Sequence, residues 1–206
     1  MTGSTPVDYW NHNSAYHPMI LAIARELNGD VLDVGCGEGL LVERLANVSR
    51  FVTGIDRDDQ AVRQALVRTA SLANATVVEA DFTEFEVAPE SVDLITLVAV
   101  LHHMDLESTL RRTAEMLRPG GQLVVVGLSA NRSVGDYARS ALLLPVVRLM
   151  SRIHRESRPV QVVAQPPKES FAEIKRTARH VLSGVQLRRA LYYRYVLSWA
   201  KPVDAR

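Results

Sequence analysis

The chain has 206 residues, of which 47% are apolar and 23% are charged, and this balance excludes a disordered or collagen-like protein. Cys36 is the only cysteine, which excludes an internal disulfide and a cysteine-rich zinc site. The length predicts a single domain over residues 1–206. The longest nearly unbroken apolar stretch, residues 94–101, is too short to span a membrane, and no basic segment precedes Arg25, so we expect a cytoplasmic protein.

The charges are unevenly distributed along the chain. Residues 1–130 carry 9 basic and 18 acidic side chains and residues 131–206 carry 15 and 5, so the two parts sum to −9 and +10 and give the net charge of +1. We interpret this split as two parts of one fold that face each other. The alternative is that the basic part binds an anion, such as nucleic acid, an acidic substrate or lipid headgroups.

Hydrophobic periodicity alternates between helix and strand over the first 130 residues. Either Asp58 or Asp59 can cap the third helix. Such alternation predicts a parallel sheet that is covered on both faces and binds its ligand at the carboxyl ends of the strands. In chain order the predicted elements are a helix ending at Asn28-Gly29, a strand over 31–34, a helix over 40–46, a strand over 51–55, a helix over 61–66, strands over 75–80 and 92–99, a helix over 106–117 stopped by Pro119-Gly120, and a strand over 123–126.

The pattern changes beyond residue 129. Residues 137–153 are strongly apolar but interrupted by arginines and a proline, which predicts a helical lid insertion over 130–160. A dimer interface or a helix on a membrane surface are the alternatives for this segment. A helix over 171–181 and a terminal strand pair over 185–200 complete the chain.

The strongest motif is the loop Gly35-Cys36-Gly37-Glu38-Gly39 between the first strand and the next helix. Glycines there let the backbone turn sharply and approach a ligand closely. The spacing fails the G-x-G-x-x-G dinucleotide fingerprint in both registers, which disfavours an NAD-dependent oxidoreductase. Glu38 would also repel a pyrophosphate at the helix start, so the loop predicts a cationic or zwitterionic ligand. Cys36 is interpreted as a small packing residue of the loop.

Three acids stand at or near the carboxyl ends of successive strands. Asp56 follows the second strand, where a carboxylate can accept both hydroxyls of a ribose. Asp81, followed by Phe82, ends the third strand and can accept a hydrogen bond from an adenine amine. Asp33 is expected to face the other end of the same ligand. Together with the glycine loop, these acids predict a nucleoside site.

At this point the sequence resembles the class I S-adenosylmethionine-dependent methyltransferase family, in its small bacterial form with a type 11/12-like domain. The resemblance rests on VLDVGCGEG over 31–39, VAVLHH over 98–103, LRPGG over 117–121 and the aromatic N-terminal cover over 9–17. It extends from about residue 31 to residue 202. It implies a three-layer, doubly wound Rossmann-like sheet of seven mostly parallel strands, the last antiparallel, with a cover helix within residues 1–29 and an insertion after strand five.

The resemblance also implies S-adenosyl-L-methionine as the cofactor. In the family, the glycine motif holds the methionine part, the acid matching Asp56 binds the ribose and the acid matching Asp81 meets the adenine amine. The acceptor is expected to contact Tyr9, Tyr16, His17 and His103. The cofactor-binding residues implied are Asp33, Gly35, Cys36, Gly37, Gly39, Asp56, Arg57, Asp81, Phe82 and Val98.

Methyl transfer is an in-line displacement, so alignment of the acceptor contributes most and a general base is optional. If the acceptor is a hydroxyl, His102 or His103 is the best candidate base, because imidazole titrates near neutral pH. The alternative is that these histidines only satisfy backbone groups at a strand end. Metal-dependent catalysis is not expected, because the six histidines show no ligand spacing.

Two nucleic-acid subfamilies are disfavoured. Residues 98–101 read VAVL where base-amine methyltransferases carry an Asn/Asp-Pro-Pro-aromatic motif, and the first lysine, Lys168, comes too late for a Lys-Asp-Lys-Glu ribose methyltransferase. The sequence therefore predicts transfer of a methyl group to an oxygen or nitrogen of a small molecule, by a monomer or homodimer. The alternatives are an RNA-modifying methyltransferase and a non-catalytic methyltransferase-like binding protein.

Overall fold

The computed structural model describes residues 11–130, 132, 166–191 and 194–203. Apart from residues 130 and 132, the lid expected over 130–160 lies outside the described residues, as does Tyr9. No helix in the described part of the chain is long and apolar enough to cross a membrane.

The described strands form one seven-stranded sheet, as predicted. They are β1 (Asp30–Val34), β2 (Phe51–Asp56), β3 (Ala75–Glu79), β4 (Val92–Val98), β5 (Leu117–Leu128), β6 (Gln186–Arg189) and β7 (Arg194–Ala200). Their order is β3-β2-β1-β4-β5-β7-β6, and every neighbouring pair from β3 to β5 is parallel. Strand β7 runs antiparallel to both β5 and β6. The strand order reverses between β1 and β4, which is where open α/β sheets bind their ligands.

Helices cover both faces of this sheet and complete the three layers. They are α1 (His17–Leu27), α2 (Leu40–Ala46), α3 (Asp59–Thr69), α4 (Leu106–Met116) and α5 (Phe171–Val181). Apolar residues of α1, α2 and α3 pack in one core cluster, and those of α4 and α5 pack in the other. Successive strand residues point to opposite faces of the sheet: Leu94 packs in the cluster of α1, α2 and α3, and Ile95 packs in the cluster of α4 and α5. This two-sided burial explains the continuous apolar run of β4.

The start of β5 differs from the prediction. Helix α4 ends at Met116, and β5 begins at once at Leu117 instead of after the Pro-Gly-Gly segment. The segment forms a bulge, because Val92 pairs with Leu117 whereas Leu94 pairs with Gln122. Its backbone stays in the sheet because Gly120 N donates to Lys201 O at 2.9 Å and Lys201 N donates to Gly121 O at 2.8 Å.

The terminal strand pair is confirmed, and the structure locates its turn. Strand β6 ends at Arg189 and β7 starts at Arg194. The alternating pattern that starts at residue 191 therefore predicts the start of β7 three residues too early. Ala190 N donates to Arg194 O at 2.8 Å and Arg194 N donates to Leu191 O at 3.1 Å, which closes the turn.

Asp58 caps α3, and this yields a stability prediction. Its carboxylate accepts from Gln60 N at 2.8 Å and Ala61 N at 3.1 Å. Within the described chain, exposed Asp59 pairs only with Arg63, one turn along the helix. Asp58→Ala should lower the free energy of unfolding by about 1 kcal/mol. Asp59→Ala should lower it by about 0.5 kcal/mol or less. Urea unfolding of both variants measures the difference, and equal losses would contradict the assignment.

Candidate active site

The glycine loop connects β1 to α2 and requires three left-handed residues. Gly35, Gly37 and Gly39 have φ values of +71°, +55° and +79°. A Cβ on Gly35 would lie 2.6 Å from Val100 Cγ2, and one on Gly39 would lie 2.9 Å from Ala65 Cβ. A Cβ on Gly37 would meet no described atom within 4 Å. Packing therefore demands glycine at the two outer positions, while the middle one borders open space that a ligand can fill.

Backbone hydrogen bonds pin this loop to the carboxyl end of β2. Gly35 N and Cys36 N both donate to Ile55 O, at 2.8 and 3.0 Å. Gly37 N donates to Asp56 Oδ2 at 2.8 Å. The loop and Asp56 are thus held as one unit at the edge of the sheet where the ligand is expected.

Cys36 packs as the sequence suggested. It is buried, and a Cβ placed on Gly54 would lie 3.0 Å from its Sγ. Burial, together with the nearby carboxylates of Asp33 and Asp56, raises the pKa of its thiol far above the usual range. A thiol in this state is not reactive, so Cys36 shapes the loop.

Asp56 presents an ordered carboxylate at the end of β2. Besides the bond from Gly37, its Oδ1 accepts from Asp58 N at 3.0 Å. The neighbouring Arg57 is exposed, and its charge contributes to lowering the pKa of Asp81. Asp56, Arg57 and Asp81 therefore lie along one edge of the sheet.

Asp33 is a buried carboxyl beneath the loop. It is 2% exposed, and Thr96 Oγ1 on neighbouring β4 donates to its Oδ1 at 2.6 Å. Burial raises the pKa of Asp33 to about 7; the Thr96 hydrogen bond opposes this shift and the charge of Asp56 adds to it. The sequence analysis missed the partner Thr96, although a single threonine inside an apolar run is a signal that the sequence shows.

Asp81 lies at the surface, and its neighbour Phe82 lies in the core. Exposed Asp81 accepts from Thr83 N at 2.8 Å and Thr83 Oγ1 at 2.6 Å, and these bonds lower the pKa of its carboxyl. The Phe82 side chain is 3% exposed and belongs to the core cluster of α4 and α5. The Phe82 ring packs in the core, and a role of Phe82 in cofactor binding stays a prediction.

The end of β4 has an unusual backbone beside the glycine loop. Half-buried Val98 is its last strand residue, and Ala99 adopts a left-handed φ of 58°. Ala99 N donates to Val126 O at 2.7 Å, and Val100 then packs over Gly35. Strained non-glycine residues of this kind cluster at functional sites, where the surrounding structure holds them in place.

His102 and His103 follow in a short 3₁₀ turn, Leu101–His103. Their ring centroids lie 4.0 Å apart. Each Nδ1 is buried and has no hydrogen-bond partner among the described residues. Burial, aided by His103 and Arg194, lowers the pKa of His102 to about 4, so His102 is neutral at neutral pH. Two neighbouring imidazoles therefore offer unsatisfied nitrogens at the carboxyl edge of the sheet.

The N-terminal segment packs on the start of β7. Asn13 Oδ1 accepts from Arg194 Nε at 3.1 Å and Nη2 at 2.8 Å, and Tyr16 donates its hydroxyl to Leu191 O at 2.7 Å. His17 is instead 5% exposed, with its Nδ1 3.0 Å from Arg44 Nη1. The described contacts thus place Tyr16 on the β6–β7 turn and His17 in a buried contact with α2. The Asn13–Arg194 pair was missed because its members are 181 residues apart.

Comparison with known proteins shows related sequences along nearly the whole chain. The profile of a family described as methyltransferase domain matches residues 32–125. An uncharacterised methyltransferase of Mycobacterium tuberculosis strain H37Rv is 31% identical over 197 residues, which cover 94% of this chain and 98% of that protein. A ubiquinone biosynthesis O-methyltransferase of Nitrosospira multiformis is 33% identical over 136 residues, which cover 60% of this chain and 57% of that protein.

Solved structures share the fold. The N-methyltransferase NodS from Bradyrhizobium japonicum, in complex with S-adenosyl-L-homocysteine, aligns with a TM-score of 0.62 at 18% identity. The alignment covers 91% of this chain and 86% of that protein. A protein from Pyrococcus horikoshii aligns with a TM-score of 0.65 at 16% identity, covering 90% of this chain and 87% of that one.

The buried Asp33 carboxyl predicts a pH dependence of stability. Because its pKa is raised in the folded state, the folded protein binds a proton more tightly than the unfolded chain, and stability falls as pH rises from about 4 to about 7. Asp33→Asn removes this loss. Its free energy of unfolding relative to wild type should grow across that interval, by at most about 4 kcal/mol, and stay constant above it.

Urea unfolding without ligand, at several pH values, measures this difference. Asp59→Asn, at an exposed position of α3, serves as the control for a surface carboxylate. A difference between Asp33→Asn and wild type that does not change with pH would contradict the prediction.

Proposed function

This chain belongs to the class I S-adenosylmethionine-dependent methyltransferases, and from that premise we propose that it methylates a hydroxyl oxygen of a small molecule, with a nitrogen acceptor as the second candidate. The observation that carries the proposal is that the Nδ1 atoms of His102 and His103 have no partner among the described residues, in the turn that follows Val100, which packs over Gly35. A hydroxyl must lose a proton during methylation, and a neutral imidazole accepts one.

The loop region fits the cofactor in space and in charge. Gly37 borders open space, and the carboxyls of Asp33 and Asp56 lie against the same loop. S-adenosylmethionine is a cation at its sulfur and at its amino group, so acidic surroundings favour it. We propose that Asp56 binds the ribose hydroxyls and that Asp81 accepts from the adenine amine. When bound, the cofactor supplies an electrophilic methyl group for in-line displacement.

The acceptor side supplies the base. His102 is neutral at neutral pH, so one ring nitrogen has a free lone pair, and the burial that lowers its pKa to about 4 also makes it a weaker base. His103, whose ring lies 4.0 Å from that of His102, has the same unsatisfied Nδ1. An imidazole nitrogen of the pair accepts the hydroxyl proton and holds it while the oxygen reacts. Burial of both Nδ1 atoms limits the access of bulk water to the pair.

Two further observations support a small hydroxyl-bearing acceptor. Several relatives that match between about half and 60% of this chain are named ubiquinone biosynthesis O-methyltransferases. The described aromatic residues of β7, Tyr195 and Trp199, are buried in the core, so they offer no stacking surface for RNA bases.

Replacing the histidines tests the proposed base. His102→Asn and His103→Asn should each retain the wild-type affinity for S-adenosylhomocysteine, while the variant that removes the base should lose about 100-fold or more in turnover. The assay follows cofactor turnover over a panel of phenols, other alcohols and amines. His180→Asn, on the exposed side of α5, is the control. Full turnover of a hydroxyl acceptor in both variants would overturn the proposed role, and turnover of amines alone would select nitrogen.

Gly37 offers a test of the cofactor cradle with a matched control. Gly37 and Gly184 both have a positive φ, and a Cβ on either would meet no described atom within 4 Å. Alanine at either position should cost about 1–2 kcal/mol of stability. Gly37→Ala alone should weaken S-adenosylhomocysteine binding, by at least about tenfold, because its methyl group fills space meant for the ligand. Calorimetric titration measures both affinities, and equal affinities would place the cofactor away from Gly37.

A further inference from the structure

Arg112 connects α4 to the loop that follows β3. Its Nε donates to Phe82 O at 3.0 Å and its Nη2 donates to Phe85 O at 2.5 Å. Its guanidinium also lies over the Phe82 ring, 5.5 Å from the centroid. One side chain therefore satisfies two backbone carbonyls and contacts an aromatic ring of the same loop.

This loop carries the carboxylate proposed for the adenine end of the cofactor. Asp81 O accepts from Glu84 N at 3.1 Å and from Phe85 N at 2.9 Å, so residues 81–85 form a closed turn. The N–H groups of Thr83, Glu84 and Phe85 bond to Asp81 within the turn. The carbonyls of Phe82 and Phe85 instead accept from Arg112. Without that donor, two partly buried acceptors would lose their partner, and the turn would seek other conformations.

The rigid planar fork of arginine suits this task. Two parallel donors fix the direction of both carbonyls at once, and a single ammonium cannot reproduce this geometry. The adjacent Arg111 makes a different kind of contact: it is exposed and pairs with Glu107 one turn back on the same helix, at 2.6 Å. Two neighbouring arginines of α4 thus have separate partners, one in the loop and one at the surface.

We propose that Arg112 is a positioning residue for cofactor binding: by holding the 81–85 turn, it sets the Asp81 carboxylate where it accepts from the adenine amine. The inference rests on the proposed role of Asp81. The hydrogen bonds and the ring contact that Arg112 makes with the described residues all go to this turn. Its loss is therefore expected to affect the affinity for the cofactor selectively, through the adenine amine.

The test compares two ligands that differ at that amine. S-adenosylhomocysteine carries the 6-amino group, and its inosine counterpart carries a 6-oxo group that cannot donate to Asp81. Arg112→Met should weaken S-adenosylhomocysteine binding about tenfold, or about 1.4 kcal/mol, and leave the weaker binding of the oxo ligand unchanged. Arg112→Lys should show a smaller loss confined to the amino ligand. Arg111→Met should bind both ligands as the wild type does.

Calorimetric titration of the full chain measures these affinities, with circular dichroism to verify folding. Equal weakening of both ligands, or unchanged binding of the amino ligand, would overturn the inference and leave Arg112 with a structural role only. If Arg112→Met does not fold, Arg112→Lys decides by the same comparison. Asp81→Asn separates the two proposals: if it still distinguishes the ligands as the wild type does, the role of Asp81 fails, whatever Arg112 does.

Discussion

The reversal of the chain between β1 and α2 is the constraint on which the rest of the site depends. Gly35, Gly37 and Gly39 all need left-handed φ angles, and the loop is bonded to Ile55 and Asp56 at the end of β2. This path turns the chain from β1 into α2 and leaves open space at the middle glycine. The same bonds orient the Asp56 carboxylate, so the backbone turn and the proposed ribose site form together.

The free protein bears an electrostatic cost at this edge of the sheet. The buried Asp33 carboxyl has only the Thr96 hydroxyl as a described hydrogen-bond donor and lies in the field of Asp56, which together with burial favours its protonated form. A cationic ligand relieves this repulsion, so the arrangement that destabilises the free protein favours the charge carried by S-adenosylmethionine. Ala99 nearby has a left-handed backbone, which also costs free energy. The packing of Val100 on Gly35 holds it in this conformation.

Helix α4 links the two ends of the proposed site. It begins just after the histidine turn at Leu101–His103, and Arg112 at its centre holds the 81–85 turn. Its buried side, including Leu106 and Leu110, packs in the same core cluster as Phe82. A rigid helix in this position relates the two turns, because it directly follows the histidine turn in the chain and holds the 81–85 turn through the hydrogen bonds of Arg112.

The sequence by itself determined the order of strands and helices, the glycine loop and the acids at the strand ends, because local periodicity, glycine spacing and capping depend on residues close in the chain. It identified two candidate caps for α3 but could not choose Asp58 over Asp59. Only the tertiary structure decided that Phe82 is buried, that Pro119 and Gly120 lie in a bulge of β5, and that His17 contacts Arg44. The tertiary structure likewise placed Asn13 in contact with Arg194 and Arg112 in contact with the 81–85 turn. These contacts join residues far apart in sequence, and their geometry is set by how helices pack across the completed sheet, which no local pattern encodes.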